Sequence, residues 1–178
     1  GELIIDNCLI NSDKATGYSY IYNNGGATQK VKITRCTFYN YPQEHLFWIR
    51  SYGEALDFHF TFEQNTVYKW SKDSKYALCK IEEESFTNAS TYTFQNNLIS
   101  EAFVAGKAPF MLDTKGAGAL IAKNNLIVNY GGYNGTNLGS SIIEDLSLGE
   151  GGLEGLNNIG FSNPEAGDFT IYAHSPLA

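Results

Sequence analysis

Arg50, Lys80, Asp113 and Glu144 follow one another about thirty residues apart, each within a short strand-like stretch of the same kind. Tyr22 holds the equivalent place in a further stretch, and Tyr20 and Trp48 stand two positions ahead of Tyr22 and Arg50. If the stretches stack, these side chains form one outward ladder. Aromatic rings beside charges suit a sugar, because rings stack on the apolar pyranose face and charged groups bond hydroxyls or carboxylates. The expected substrate-binding set is therefore Tyr20, Tyr22, Trp48, Arg50, Lys80, Asp113 and Glu144. A lyase is the alternative, with Lys80 as the base and Arg50 neutralising a substrate carboxylate on the adjacent turn. Nothing in the sequence marks Lys80 as perturbed. The third reading is a solvated strand face with ordinary cross-strand pairs, Asp113 and Glu144 tempering the two cations.

Other chemistry finds weaker support. His45, His59 and His174 are scattered without metal-ligand spacing, and a strand His next to inward phenylalanines reads as exposed. The acidic run at 82–85 could add oxygens to a calcium site, although like-charge runs are more often solvated loops. Cofactors are otherwise expected to be absent, and no metal site is assigned. A Ser-centred triad would lack a G-x-S-x-G elbow. The glycine pairs at 25–26, 131–132 and 151–152 fall between strand-like stretches and read as turns. Three cysteines make neither a CxxC pair nor an even disulfide set, and Cys8 and Cys36 are expected to stack as free thiols.

The positioning elements come from an internal repeat. "LIIDNCLIN", "VKITRCTFYN", "FTFEQNTVYKW", "YTFQNNLIS", "LIAKNNLIVNY" and the weaker "GLEGLNNIGF" align on Cys8, Cys36, Asn65, Asn97, Asn125 and Asn158, with separations of 28, 29, 32, 28 and 33 residues. In each copy apolar residues alternate, two polar residues and an Asn or Cys intervene, and the alternation resumes on the same side. Alternation signifies half-buried strands, and the interruption signifies a corner. A second strand-like stretch lies between the breaks: 17–23, 45–51, 76–82, 108–114 and 140–146. Three short strands per repeat, without helical segments, predict an all-β parallel β-helix of about six turns. Asn65, Asn97 and Asn125 should point inward and hydrogen-bond along the axis, since buried amides need partners.

Length and composition agree with one domain over 1–178, its last part, 157–178, closing the solenoid. Hydrophobic residues make up 43% and charged residues 17%, a globular balance. A net charge of −7 with only Arg35 and Arg50 as arginines excludes nucleic acid as the main partner. No apolar run reaches the roughly 20 residues of a membrane span. The start at Gly1, directly into a strand, reads as the trimmed C-terminal part of a larger protein with preceding domains.

The broken strand with its inward Asn ladder resembles the right-handed β-helices of the pectin-lyase-like superfamily. The end, "NNIGFSNPEAGDFTIYAHSPLA", resembles the closing segment of β-helix domains in polysaccharide-lyase-like and uncharacterised surface proteins of Bacteroides-type bacteria. Phe161, Asn163, Pro164, Gly167, Asp168, Phe169, Ser175 and Pro176 carry that likeness, and Gly160 departs from it. The resemblance implies export, to the cell surface, the surroundings or the periplasm, and a polysaccharide or other glycan as partner. It supplies no active site. The expectation is a noncatalytic module of a bacterial surface protein, with a lyase or glycoside hydrolase fragment as the alternative.

Overall fold

A computed structural model describes residues 1–26, 28–51, 53–146 and 161–171. The first coil carries β1 (Glu2–Asp6), β2 (Leu9–Asn11) and β3 (Ser19–Asn24). The second carries β4 (Lys30–Thr34), β5 (Thr37–Tyr41) and β6 (His45–Ser51). The third has β7 (His59–Glu63), β8 (Thr66–Trp70) and β9 (Ala77–Ile81), and the fourth has β10 (Thr91–Gln95), β11 (Leu98–Ser100) and β12 (Phe110–Thr114). In the next, β13 (Ala119–Val128) runs through the corner and β14 (Tyr133–Gly135) is short. Then come β15 (Ile142–Leu146) and a hairpin of β16 (Phe161–Asn163) and β17 (Asp168–Ile171) around a 3-10 turn, Pro164–Ala166.

Like strands of successive coils pair in parallel, which makes the chain a parallel β-solenoid. β1, β4, β7, β10 and the first half of β13 form one sheet, and β2, β5, β8, β11 and its second half form another. β3, β6, β9, β12 and β14 form the third. The second and third sheets have five rungs, which gives about four turns, where the repeat count predicts six. The sixth break position, Asn158, lies outside the described residues.

Register follows the repeat spacing. Leu3, Val31, Phe60, Tyr92 and Leu120 stack in one inward row of the first sheet, and Ile5, Ile33, Phe62, Phe94 and Ala122 in the next. From the second rung onward these side chains are buried, and Phe60 meets Phe94 at 5.6 Å and Phe47 at 5.1 Å between ring centroids. Each apolar residue therefore stacks on apolar residues above and below, and its burial contributes about 1.5–3 kcal/mol.

The corner between the first two sheets uses one left-handed residue per coil: Asn7, Arg35, Gln64, Asn96 and Asn124, with φ between 52° and 56°. Asn adopts this region at less cost than Arg35 or Gln64 does, so the second polar position of the repeat answers a backbone requirement. The next residue turns inward. Asn65 N–H donates to Asn97 Oδ1 at 2.9 Å, and Asn97 N–H donates to Asn125 Oδ1 at 3.1 Å. Their side-chain amides also donate to the carbonyls of Ile33, Phe62 and Phe94 at 2.8–2.9 Å. The ladder reaches Cys36, whose N–H donates to Asn65 Oδ1 at 2.9 Å, and all three cysteines are free thiols.

The hairpin does not extend the coil. Phe161, Phe169 and Ile171 pack on Tyr39, Tyr68, Leu98, Leu126 and Val128, the outward side of the second sheet. This segment covers a flank, and that explains why the outer positions of this sheet are apolar. Gly167, at φ 81°, makes the turn, and a Cβ there would lie 2.8 Å from the Tyr39 hydroxyl. No helix among the described residues is long and apolar enough to cross a membrane.

Candidate functional site

The outward row of the third sheet is Tyr22, Trp48, Lys80, Asp113 and Asn134, fixed by strand register. It joins four of the expected residues and separates three. Arg50 lies two residues beyond Trp48 on β6 and so misses the row that holds Tyr22 and Lys80. Ile49, though buried, likewise belongs to the neighbouring inward row with Ile81. The cause is loop length. Seven residues (12–18) join β2 to β3, but only three (42–44) join β5 to β6, so the second coil reaches the third sheet early. A repeat period measured at the Asn corner cannot locate that difference.

Glu144 is on another face. The chain returns after β14 to the first sheet, where β15 pairs with β13 and Glu144 meets Lys123 at 3.1 Å. The expected third-sheet strand at 140–146 is thus a sixth rung of the first sheet, and β14 takes its place. Ile143 pairs with Ala122. Tyr20 stays exposed but stands apart from the row, its ring 6.4 Å from Phe38 and 6.2 Å from Trp70.

The rings that remain outside form a cluster. Trp48 lies 5.2 Å from Tyr22 and 6.4 Å from Tyr18, an exposed residue of the β2–β3 loop that no ladder pattern marks. The Arg50 guanidinium sits over the Trp48 ring, 5.6 Å from its centroid. Together with Ser19 and Glu44 these residues line a cleft of about 490 Å³. Trp48 is held from beneath: its indole N–H donates to Glu82 Oε2 at 3.2 Å, and the His45 ring lies 5.3 Å away.

His45 is buried, whereas His59 is exposed. The His45 Nδ1 lies 2.7 Å from the Ala77 carbonyl, and burial holds its pKa below the usual imidazole value, an effect that this hydrogen bond opposes. Its neutral ring bridges Trp48 to Tyr76, 5.4 Å away on the other side. Burial, and then hydrogen bonding to Glu44, push the Tyr76 phenol up.

Lys80 bonds Asp113 Oδ2 at 2.7 Å and approaches Glu82 Oε1 at 3.6 Å. Asp113 also accepts from Asn134 Nδ2 at 3.0 Å. Lys80 is thus engaged by two carboxylates instead of standing free for a substrate. The acidic run at 82–85 diverges as well. Glu83 accepts from the Ser85 N–H at 2.8 Å, while Glu84 faces Lys115 at 3.6 Å. Among the described residues no group of three His, Cys, Asp or Glu side chains could hold a metal.

No family model, curated protein or solved structure matches the chain. The class defined here is a parallel β-solenoid with an aromatic and cationic cleft on the outer face of its third sheet.

Proposed function

We propose that this chain is a noncatalytic glycan-binding module of an exported bacterial surface protein, related to the pectin-lyase-like β-helices. The observation that supports it is the Tyr18, Tyr22 and Trp48 cluster, with Arg50 laid on the indole, at the mouth of an open cleft. Rigid rings on a stacked sheet offer a sugar a flat apolar platform at little entropic cost, and adjacent polar groups fix its orientation. The alternative, a lyase or glycosidase fragment built on Lys80 and Arg50, is less well supported, because Lys80 is tied to Asp113 and Glu82.

A glycan array with the purified chain tests the reading. Binding that disappears in Trp48→Ala, with the melting temperature kept within a few degrees, supports it. Equal loss of fold and binding would reduce Trp48 to packing. Incubation with pectate, alginate and chondroitin should release no unsaturated product. Turnover lost in Lys80→Ala with the fold intact would favour the enzyme.

A further inference from the structure

The charges around the cleft are unevenly spent. Lys80 is matched by Asp113 at 2.7 Å and Glu82 at 3.6 Å, and Lys72 by Glu44 at 3.8 Å. Arg50 is exposed and has no ion pair or hydrogen bond among the described residues, only the face of Trp48. The hydroxyls of Tyr18, Ser19 and Tyr22 likewise have no hydrogen-bond partner among the described residues. A cation–π contact uses the guanidinium face and leaves its N–H edge to bond a planar anion in bidentate fashion. The cleft therefore offers one unanswered positive charge and several unspent donors within a protein of net charge −7.

We infer that the bound glycan is capped by a single carboxylate-bearing sugar, the ring resting on Trp48 and the carboxylate on Arg50. This deepens the glycan-binding reading and rests on it. A polymer charged at every residue does not fit. Coils stack about 4.8 Å apart, roughly one sugar ring, so its next carboxylates would come toward Glu82 on the third coil and Asp113 on the fourth, within a Debye length. One anionic end, with a neutral chain behind it, puts its single charge on Arg50, where Glu44 is already answered by Lys72, and brings no second charge toward Glu82 or Asp113.

The test is an array of matched glycan pairs, each terminal uronic or sialic acid beside its methyl ester, with sulfate-capped glycans and polyuronates included. Carboxylate caps should bind about tenfold more tightly than their esters, the value of a charge-assisted hydrogen bond. Arg50→Gln should abolish the preference of acid over ester, while Trp48→Ala removes binding of both. Equal binding of acid and ester would overturn the inference and leave the glycan reading standing. So would stronger binding of polyuronates or of sulfate caps. No binding to any glycan on the array would overturn both.

Discussion

Asn125 gives its side-chain amide to Asp145, with Nδ2 2.6 Å from Oδ1. The same oxygen receives the Asn125 backbone N–H at 3.3 Å, and the Tyr133 hydroxyl donates to the other at 2.9 Å. An asparagine here would have an amide to pass onward, whereas a carboxylate only accepts. The ladder thus runs one way and stops at Asp145. Burial, and next the Asp145 charge, push the Tyr133 phenol up, which keeps it a donor. Asp145→Asn retains the acceptor and should change stability little, while Asp145→Ala should cost about 1–3 kcal/mol. Urea titration of both variants decides it. Equal loss in the two would mean that charge, not acceptance, matters.

Asn97 is the middle of the ladder. Asn97→Ala leaves the Asn65 N–H and the Phe62 carbonyl without partners in the core. Two buried orphans cost about 2–6 kcal/mol together, or a melting temperature lower by roughly 5–20 °C for a chain of this size. A drop of only a degree or two would show that water replaces the amide.

Gln64 occupies the left-handed corner at φ 56°, where other coils have Asn7, Asn96 and Asn124. It is exposed, so its substitution disturbs no packing. Gln64→Asn should raise stability by about 0.5–1 kcal/mol, relieving backbone strain. Thermal melting that shows no gain would assign the corner preference to something other than backbone conformation.

Gly167 combines a left-handed φ with the close approach of Tyr39. Gly167→Ala should undock the hairpin while the coils persist. Limited proteolysis would then cut near 161–171 and far-ultraviolet circular dichroism would change little. Resistance equal to the parent's would show that the hairpin shifts to accommodate the methyl group.

His45 makes stability depend on pH. Its folded pKa is depressed by burial from the ordinary 6.5, so the unfolded chain binds the proton first. The stability is fully present above that value and is lost as pH falls from it toward the folded pKa. His45→Gln should flatten the denaturation midpoint between about pH 7 and pH 5 relative to the parent. Parallel profiles would place the acid sensitivity in other groups.

The sequence by itself determined the solenoid, because the strand corner has a local signature. A left-handed residue followed by an inward Asn repeats in Gln64-Asn65, Asn96-Asn97 and Asn124-Asn125, and register between coils follows from its spacing. It also placed Trp48, Lys80 and Asp113 outward, since alternation within a strand fixes the side of each residue. Only the tertiary structure decided which of them are neighbours. The loops 12–18 and 42–44 differ in length, and that difference moved Trp48, rather than Arg50, beside Tyr22. Tyr18 joined the cleft from a loop, and Glu144 left it because the chain returns to the first sheet after a three-residue β14. Asp145 escaped the repeat for the same reason: it ends a short coil, 20 residues after Asn125, as an Asp where the pattern calls for Asn. Strand direction is local chemistry, but the meeting of strands depends on the loops between them, whose lengths leave no periodic trace.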